Sequence, residues 1–372
     1  MSVKLLSMRK ISDMPTTENQ FIWIYRSDNQ WIPFSETISS IIEEAFRSGS
    51  NEIFIEDIYR IDLNYFVKEN IANESCKHAI GRRLRQNAID SSIQEDEWRR
   101  CERFLFPLES VSNCSATIDT KYYGSPFIEK WFLIFTKGKL TVTFNFIFPC
   151  LIQGLQEEGR NEPKHILESI INTLEKVKNK TIGKNEKKRM KELENCCAML
   201  YTKPYFIYRT VNTALRDNDQ TKLLTIGPYC FLVFNYIGRH INEPFSIHRH
   251  IQSKIITVFR GDYISEKMLE EYRHAVGNNS KYFKWLPFVS TSYEKDVAEN
   301  FARNVLYIMK IRRHSSNDLY ADMSTISSFK DEKEIILQPG IRFQVENIEL
   351  DFTKKFYLIY IHIIPSYVST LK

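Results

Sequence analysis

Glycine and proline are scarce in this chain, 12 of each in 372 residues, which excludes collagen-like and low-complexity architectures. Long apolar runs are missing too. The greasiest segments, 144–152 and 356–365, have the length of strands, and no stretch approaches the ~20 apolar residues of a membrane span. The N-terminal text MSVKLLSMRKISDM holds no apolar core of signal-peptide length. The seven cysteines (Cys76, Cys101, Cys114, Cys150, Cys196, Cys197 and Cys230) are odd in number and contain no C-x-x-C pair. Reduced thiols in an intracellular, cytoplasmic protein are therefore expected. The common nucleotide motifs are absent as well: without G-x-G-x-x-G or G-x-x-x-x-G-K-[ST], neither a Rossmann cofactor site nor a P-loop is supported. Without G-x-S-x-G, Ser290 is not a hydrolase nucleophile by motif.

What is present is ordinary globular composition, 43% hydrophobic and 26% charged, over a length that suggests two or three domains. A formal charge of +5 is a mild bias that suits a phosphate-bearing ligand without being a nucleic-acid signature. After a polar start over 1–18, FIWIYR and WIPF read as strands around the turn SDNQ. Ser35 is a good N-cap for a helix whose apolar stripe is Ile38, Ile41, Ile42, Ala45 and Phe46, closed by Gly49. IFI and YRIDLNYF read as further strands, and the segment ends on the basic text GRRLRQ. This makes a small mixed unit at 18–88.

The region 89–193 reads as an accessory or linker stretch. EKWFLIFTK and KLTVTFNFIF suggest a hairpin turning at Gly138. A helix follows, with Pro163 as its first residue and a stripe of Ile166, Leu167, Ile170, Ile171, Leu174 and Val177. The basic text KVKNKTIGKNEKKRMKE, with Gly183 inside it, is the best linker candidate. From 194 to 372 the pattern changes from helices to strands: YRTVNTALR and CFLVFNYIGR as helices, KIITVFRG as a strand, ISEKMLEEYRHAV as a helix, WLPFVSTS as a strand leading to Ser292 as an N-cap, EKDVAENFARN as a helix, then four strands. Helices first and strands later predict an α+β fold.

Three features in the last unit carry chemistry together. One strand ends in Phe259-Arg260-Gly261, a second in Ser290-Thr291-Ser292, and Glu332-Lys333-Glu334 leads into Ile335-Ile336-Leu337. Arg260 is a permanent cation whose planar fork suits a diphosphate. Gly261 would let a ligand approach the backbone. Ser290 at a strand end can bond a ribose or amide. Glu332 and Glu334, two apart at a strand start, would share one face, and paired carboxylates suit a reaction through a sugar cation. Taken singly, each has a blander reading: a surface ion pair, a polar strand end, a solvated strand face. His248 and His250 near His240 could edge a metal site, but no matching ligand pattern accompanies them, and no metal is expected.

Arginine, then S-T-S, then E-x-E resembles the signature of the R-S-E class of ADP-ribosyltransferases, which includes bacterial toxins and arginine-specific mono-ADP-ribosyltransferases. The surrounding text is similar too: F-R-G, then F-V-S-T-S with Ala298 and Phe301 on the next helix, then E-K-E-I-I-L-Q-P-G-I-R-F. The resemblance implies a catalytic fold of two packed antiparallel-rich sheets preceded by helices, with NAD as co-substrate. It implies that Arg260 and Gly261 lie against NAD, that Ser290 orders the nicotinamide-side pocket, that Glu334 is the catalytic glutamate, and that Glu332 receives the acceptor. A glutamate at 332 goes, in this class, with arginine on a target protein, recognised by the loop 324–331 with Phe329. An NAD glycohydrolase using the same site, or a non-catalytic ADP-ribose-binding protein, would present the same residues.

Trp23, Trp31 and Glu43, with P-F after the second tryptophan and E-x-A-F on the helix, resemble the WWE domain. That resemblance implies an ADP-ribose-type ligand or a partner protein. Tyr25 and Tyr59 fall where stacking residues are expected, Asp28 and Lys68 stand where binders carry other polar groups, and Trp23 and Trp31 read as core. Neither a nucleic acid nor a membrane is an expected partner.

Overall fold

Ser35 starts the first helix as expected, its Oγ accepting a hydrogen bond from the backbone of Ile38 at 3.3 Å. Helix α1 (Glu36–Arg47) accompanies six strands: β1 (Phe21–Ser27), β2 (Gln30–Pro33), β3 (Glu52–Ile55), β4 (Tyr59–Asp62), β5 (Val67–Asn70) and β6 (Asn73–Leu84). These pair antiparallel throughout in the order β2-β1-β6-β5-β4-β3. The inward face of α1 differs from the expected stripe. Ile42, Ala45 and Phe46 are buried but Ile41 is exposed, and Ser39 and Glu43 point inward instead. Ser39 Oγ accepts from the Trp23 backbone at 2.8 Å, and Glu43 accepts from the Trp23 indole at 2.9 Å. The helix is thus turned toward β1 by two polar contacts that an apolar periodicity cannot register. Trp23 is core, packed on Phe46 and Phe66.

This computed structural model describes residues 21–84 apart from 28–29, 56–57 and 64–65; residues 108 and 110–112; 124–239 apart from 138–140 and 204; and 255–364 apart from 313–318, 328–331 and 355. The chain divides into two compact units, 1–94 and 95–372. The Trp31 side chain, Asp28, the histidines at 240, 248 and 250, and Phe329 lie outside what is described.

The second unit opens on helices where a hairpin was expected. Helix α2 (Pro126–Thr136) and helix α3 (Phe144–Glu158) occupy the two apolar stretches. A short all-apolar run does not by itself separate a buried helix from a strand. Here Ser125 caps α2, Pro126 takes its first turn, and Phe127, Ile128, Trp131 and Phe132 share the buried face. Helix α4 (Lys164–Lys180) follows, with Pro163 as its N-cap rather than its first residue. The expected basic linker is not a linker: α4 runs to Lys180, a turn with Gly183 at φ 78 reverses the chain, and α5 (Glu186–Tyr201) begins. Helices α6 (Phe206–Arg216) and α7 (Leu223–Arg239) complete the set. Helix α7 is buried along most of its length and packs against α2, α3, α5 and α6.

Strand β7 (Ser110–Ser112) and strands β8 (Ile255–Asp262), β9 (Phe283–Trp285), β10 (Val289–Ser292), β11 (Val305–Arg312), β12 (Tyr320–Asp322), β13 (Glu334–Leu337), β14 (Ile341–Asp351) and β15 (Phe356–Ile364) form one hydrogen-bonded order. It runs β12-β13-β10-β8-β11-β15-β14-β9-β7, antiparallel except for the pair β11 and β15. A single residue pair, Ser292 opposite Phe259, links the group β12-β13-β10 to the other six strands. Between the strands lie helices α8 (Glu266–Ala275) and α9 (Lys295–Glu299). Helix α9 starts from Glu294, so Ser292 is not its N-cap. One hydrophobic core joins Phe127, Trp131 and Leu151 on the helices to Val258, Trp285, Ile336 and Phe343 on the strands. Helices α2 to α5 are therefore built into the same body as the strands β8 to β15. Among the described residues no helix is long and apolar enough to cross a membrane.

Candidate active site

Strand β10 lies between β8 and β13. That order places Arg260 on β8, Ser290 on β10 and Glu334 on β13, three neighbouring strands. Arg260 is 1% exposed and Glu334 is fully enclosed. The Arg260 guanidinium is fixed from two sides. Its Nε donates to Asp262 Oδ2 at 3.0 Å, and its Nη1 donates to the Ser290 carbonyl at 2.9 Å. Arg260 and Asp262 are two apart on one strand and so share a face. Burial pushes the Asp262 carboxyl up, opposed by the charge of Arg260, the Tyr263 backbone N–H and the charge of Arg303. Sequence reasoning missed Asp262, although the spacing Arg-x-Asp on a strand is a readable ion-pair signal.

The three residues of S-T-S divide the labour. Thr291 Oγ1 donates to the Ile335 carbonyl at 2.8 Å, and Ser292 Oγ donates to the Glu332 carbonyl at 2.6 Å. Together with the register Ser292 opposite Glu334, these bonds pin the glutamate-bearing segment to β10. Ser290 is different. Its hydroxyl is buried and makes no hydrogen bond among the described residues. A buried hydroxyl without a partner costs about 1–3 kcal/mol, so a polar ligand atom beside Ser290 would offset a standing penalty.

Glu332 and Glu334 are both buried, but not as neighbours on one strand face. Strand β13 begins at Glu334, and Lys333 adopts φ 43, a left-handed conformation. That turn sets Glu332 off the strand, so the alternation rule for strands does not govern the pair. The conformation is uncommon for a long side chain and is held by the Ser292 bond to Glu332, by the Tyr293 N–H on the Lys333 carbonyl at 3.3 Å, and by an ion pair of Lys333 with Glu294. Packing inside the chain also requires glycine at 261. A Cβ there would overlap the backbone of Ala298, Phe301 and Ala302. The close approach that requires glycine is that of the chain's own α9 segment.

The N-terminal unit carries a second constellation. Glu43 joins the indole of Trp23 to Arg82, which donates through Nε at 2.7 Å and Nη2 at 2.6 Å, and to Arg47 at 2.7 Å. Burial would raise this carboxyl, but the bonds and charges of Arg82 and Arg47 outweigh it and hold it at about 2. Both tyrosines expected to stack on a ligand meet one cation: the Lys68 ammonium sits 3.9 Å from the ring centre of Tyr25 and 3.9 Å from that of Tyr59.

The family model described as WWE domain matches residues 21–82. The model described as ADP-ribosyltransferase exoenzyme matches residues 179–362. No curated protein sequence matches the chain. Similar solved structures include the type III effector XopAI of Xanthomonas axonopodis pv. citri, 15% identical, covering 68% of this chain and 100% of that one with a TM-score of 0.42. Exoenzyme S of Pseudomonas aeruginosa, solved with carba-NAD bound, is 19% identical over 57% of this chain and 87% of its own, with a TM-score of 0.36. The C3 exoenzyme of Clostridium limosum is 16% identical over 46% and 84%, with a TM-score of 0.35. The chain thus joins a WWE domain to an ADP-ribosyltransferase domain of the exoenzyme family.

Proposed function

We propose that the C-terminal unit transfers ADP-ribose from NAD to an arginine side chain of a target protein. The observation that carries the reading is the convergence of Arg260, Ser290 and Glu334 on three adjacent strands, with the Ser290 hydroxyl buried and unsatisfied among the described residues. In the proposed reaction the bond from the nicotinamide nitrogen to the ribose carbon breaks, and nicotinamide leaves with the electron pair. Glu334 stabilises the sugar cation through its negative charge. Ser290 bonds the ribose or nicotinamide amide, and Arg260 gives the pocket its fixed positive charge toward the diphosphate. A guanidine nitrogen of the acceptor then attacks the same carbon, and Glu332 orients the guanidinium and takes the proton it sheds. Free Cys150, Cys196, Cys197 and Cys230 suit work in a reducing, intracellular compartment.

Nicotinamide release and labelled agmatine, followed in one tube, test the reading. Glu334→Gln keeps shape but removes charge, and should lower both signals on the order of 100-fold while NAD still binds. Glu332→Gln should stop labelling of agmatine and spare slow NAD hydrolysis. Loss of both signals in folded Glu332→Gln would assign Glu332 to the NAD half of the site. Retention of both would withdraw arginine as the acceptor. In the N-terminal unit an ADP-ribose-type ligand stacking on Tyr25 or Tyr59 would share those rings with Lys68 or displace it.

A further inference from the structure

The stretch between residues 176 and 191 contains eight of the chain's 51 lysines and arginines and one of its 46 acidic residues. It carries +7, and the rest of the chain carries −2, against +5 for the whole. The fold does not spread this charge along a tether. It gathers it at the apex of the helical hairpin made by α4 and α5, where the chain reverses over 181–185. At the apex stands Ile182, 74% exposed, held outward by a turn whose Gly183 has φ 78 and whose Thr181 is buried beneath it. Lys180, Lys187 and Lys188 are exposed around it, and Lys184 is half-buried. Lys178 and Lys180 have carboxylate partners at 3.1 and 3.8 Å, in Glu175 and Glu192. Among the described residues, Lys176, Lys184, Lys187 and Lys188 form no ion pair.

We propose that this hairpin apex docks the protein on an anionic phospholipid surface, with Ile182 entering the interface and the surrounding lysines meeting lipid phosphates and carboxylates. Two features favour lipid over nucleic acid. Base recognition draws on aromatic stacking and on arginine forks. The apex presents no aromatic ring, and its one arginine, Arg189, is used inside the fold, lying 4.0 Å from the Phe144 ring centre and donating to Asn145. An isolated apolar side chain ringed by lysines is instead the pattern of an interfacial anchor, in which a small buried apolar area and several surface charges act together. The start of α5 adds the positive end of its helix dipole to the same spot.

The test uses the full-length chain and sedimentation with lipid vesicles. Vesicles of phosphatidylcholine containing about a third phosphatidylserine should pull the protein down, vesicles of phosphatidylcholine alone should not, and raising salt from about 0.1 to 0.5 M should release it, as screening requires. Each lysine near an anionic surface contributes about fivefold to binding. The variant K184Q/K187Q/K188Q should therefore lose on the order of 100-fold, and Ile182→Ser about tenfold. A matched triple, K267Q/K281Q/K310Q, removes the same charge elsewhere and should bind as the parent does. Unchanged NAD turnover in each variant shows that the fold is intact, so vesicle binding and the proposed chemistry fail or stand separately. Equal binding to both vesicle types, no binding, equal loss in the two triple variants, or capture by an RNA oligonucleotide without capture by vesicles would each overturn the proposal.

Discussion

Asp262 decides where Arg260 can point. A guanidinium on a long flexible side chain would ordinarily sample several rotamers, and the bond from Nε to Asp262 together with that from Nη1 to the Ser290 carbonyl leaves it one. Removing the carboxylate charge takes from a buried cation the counter-charge that lies 3.0 Å from its Nε, a change worth on the order of 3 kcal/mol of stability. Asp262→Asn should accordingly lower the denaturant midpoint and raise the KM for NAD more than it lowers kcat. A melting curve and NAD kinetics equal to those of the parent would show that Arg260 is held by other means. Arg260, Ser290 and Glu334 could be singled out in the sequence because they follow one another in a fixed order, each beside apolar strand text. Asp262 was overlooked although Arg-x-Asp on a strand puts both side chains on one face; that this face is buried, which makes the pair matter, only the fold shows.

At the scale of elements, the site depends on how close α9 comes to β8. Gly261 has no room for a methyl group, since the backbone of Ala298, Phe301 and Ala302 fills that space. Gly261→Ala should cost on the order of 3 kcal/mol by overpacking, read as a lowered urea midpoint, and should weaken NAD binding by shifting Arg260 next to it. A stability equal to the parent's would mean that α9 can retreat freely. The same scale holds the misreadings. Glu332 and Glu334 looked like strand neighbours because E-x-E precedes an apolar run, yet Lys333 turns through a left-handed conformation and only Glu334 is on β13. The stretches at α2 and α3 looked like strands because an apolar run carries no period when all its sides are buried.

Two consequences belong to the whole molecule. The first concerns acid. Glu43 is held at about 2 in the fold against 4.5 when unperturbed. Its folded value is the lower one, so its contribution is complete above pH 4.5 and is lost as pH falls toward 2. The difference corresponds to about 3 kcal/mol for this buried carboxylate. Acid titration followed by the fluorescence of Trp23, whose indole donates to Glu43, should show the WWE unit loosening across that window, and Glu43→Gln should flatten the response. A transition of the same size in Glu43→Gln would place the acid sensitivity elsewhere. The second consequence concerns boundaries. A chain beginning at 95 should fold and retain NAD turnover, because the two compact units divide there. A chain beginning at 194 should be insoluble, because Phe127, Trp131, Phe144 and Leu151 share one core with the strands. Should the shorter chain prove soluble and active, the helices α2 to α4 and the first half of α5 would be dispensable after all.

The order of arginine, serine and glutamate, the apolar text of the strands that carry them, and Trp23 as core were legible in local sequence, because composition and motif are local properties. Which side of α1 faces inward, the ion pair of Arg260 with Asp262, the turn at Lys333, the occupant of the space at Gly261 and the contact of Lys68 with Tyr25 and Tyr59 were settled only by tertiary structure. Each depends on groups brought together from separate segments or on a burial that no single segment encodes. The basic stretch at 176–191 shows both halves of this division. Its charge is plain in the sequence, but whether lysines tether two bodies or crown a hairpin is decided by the packing of α4 against α5.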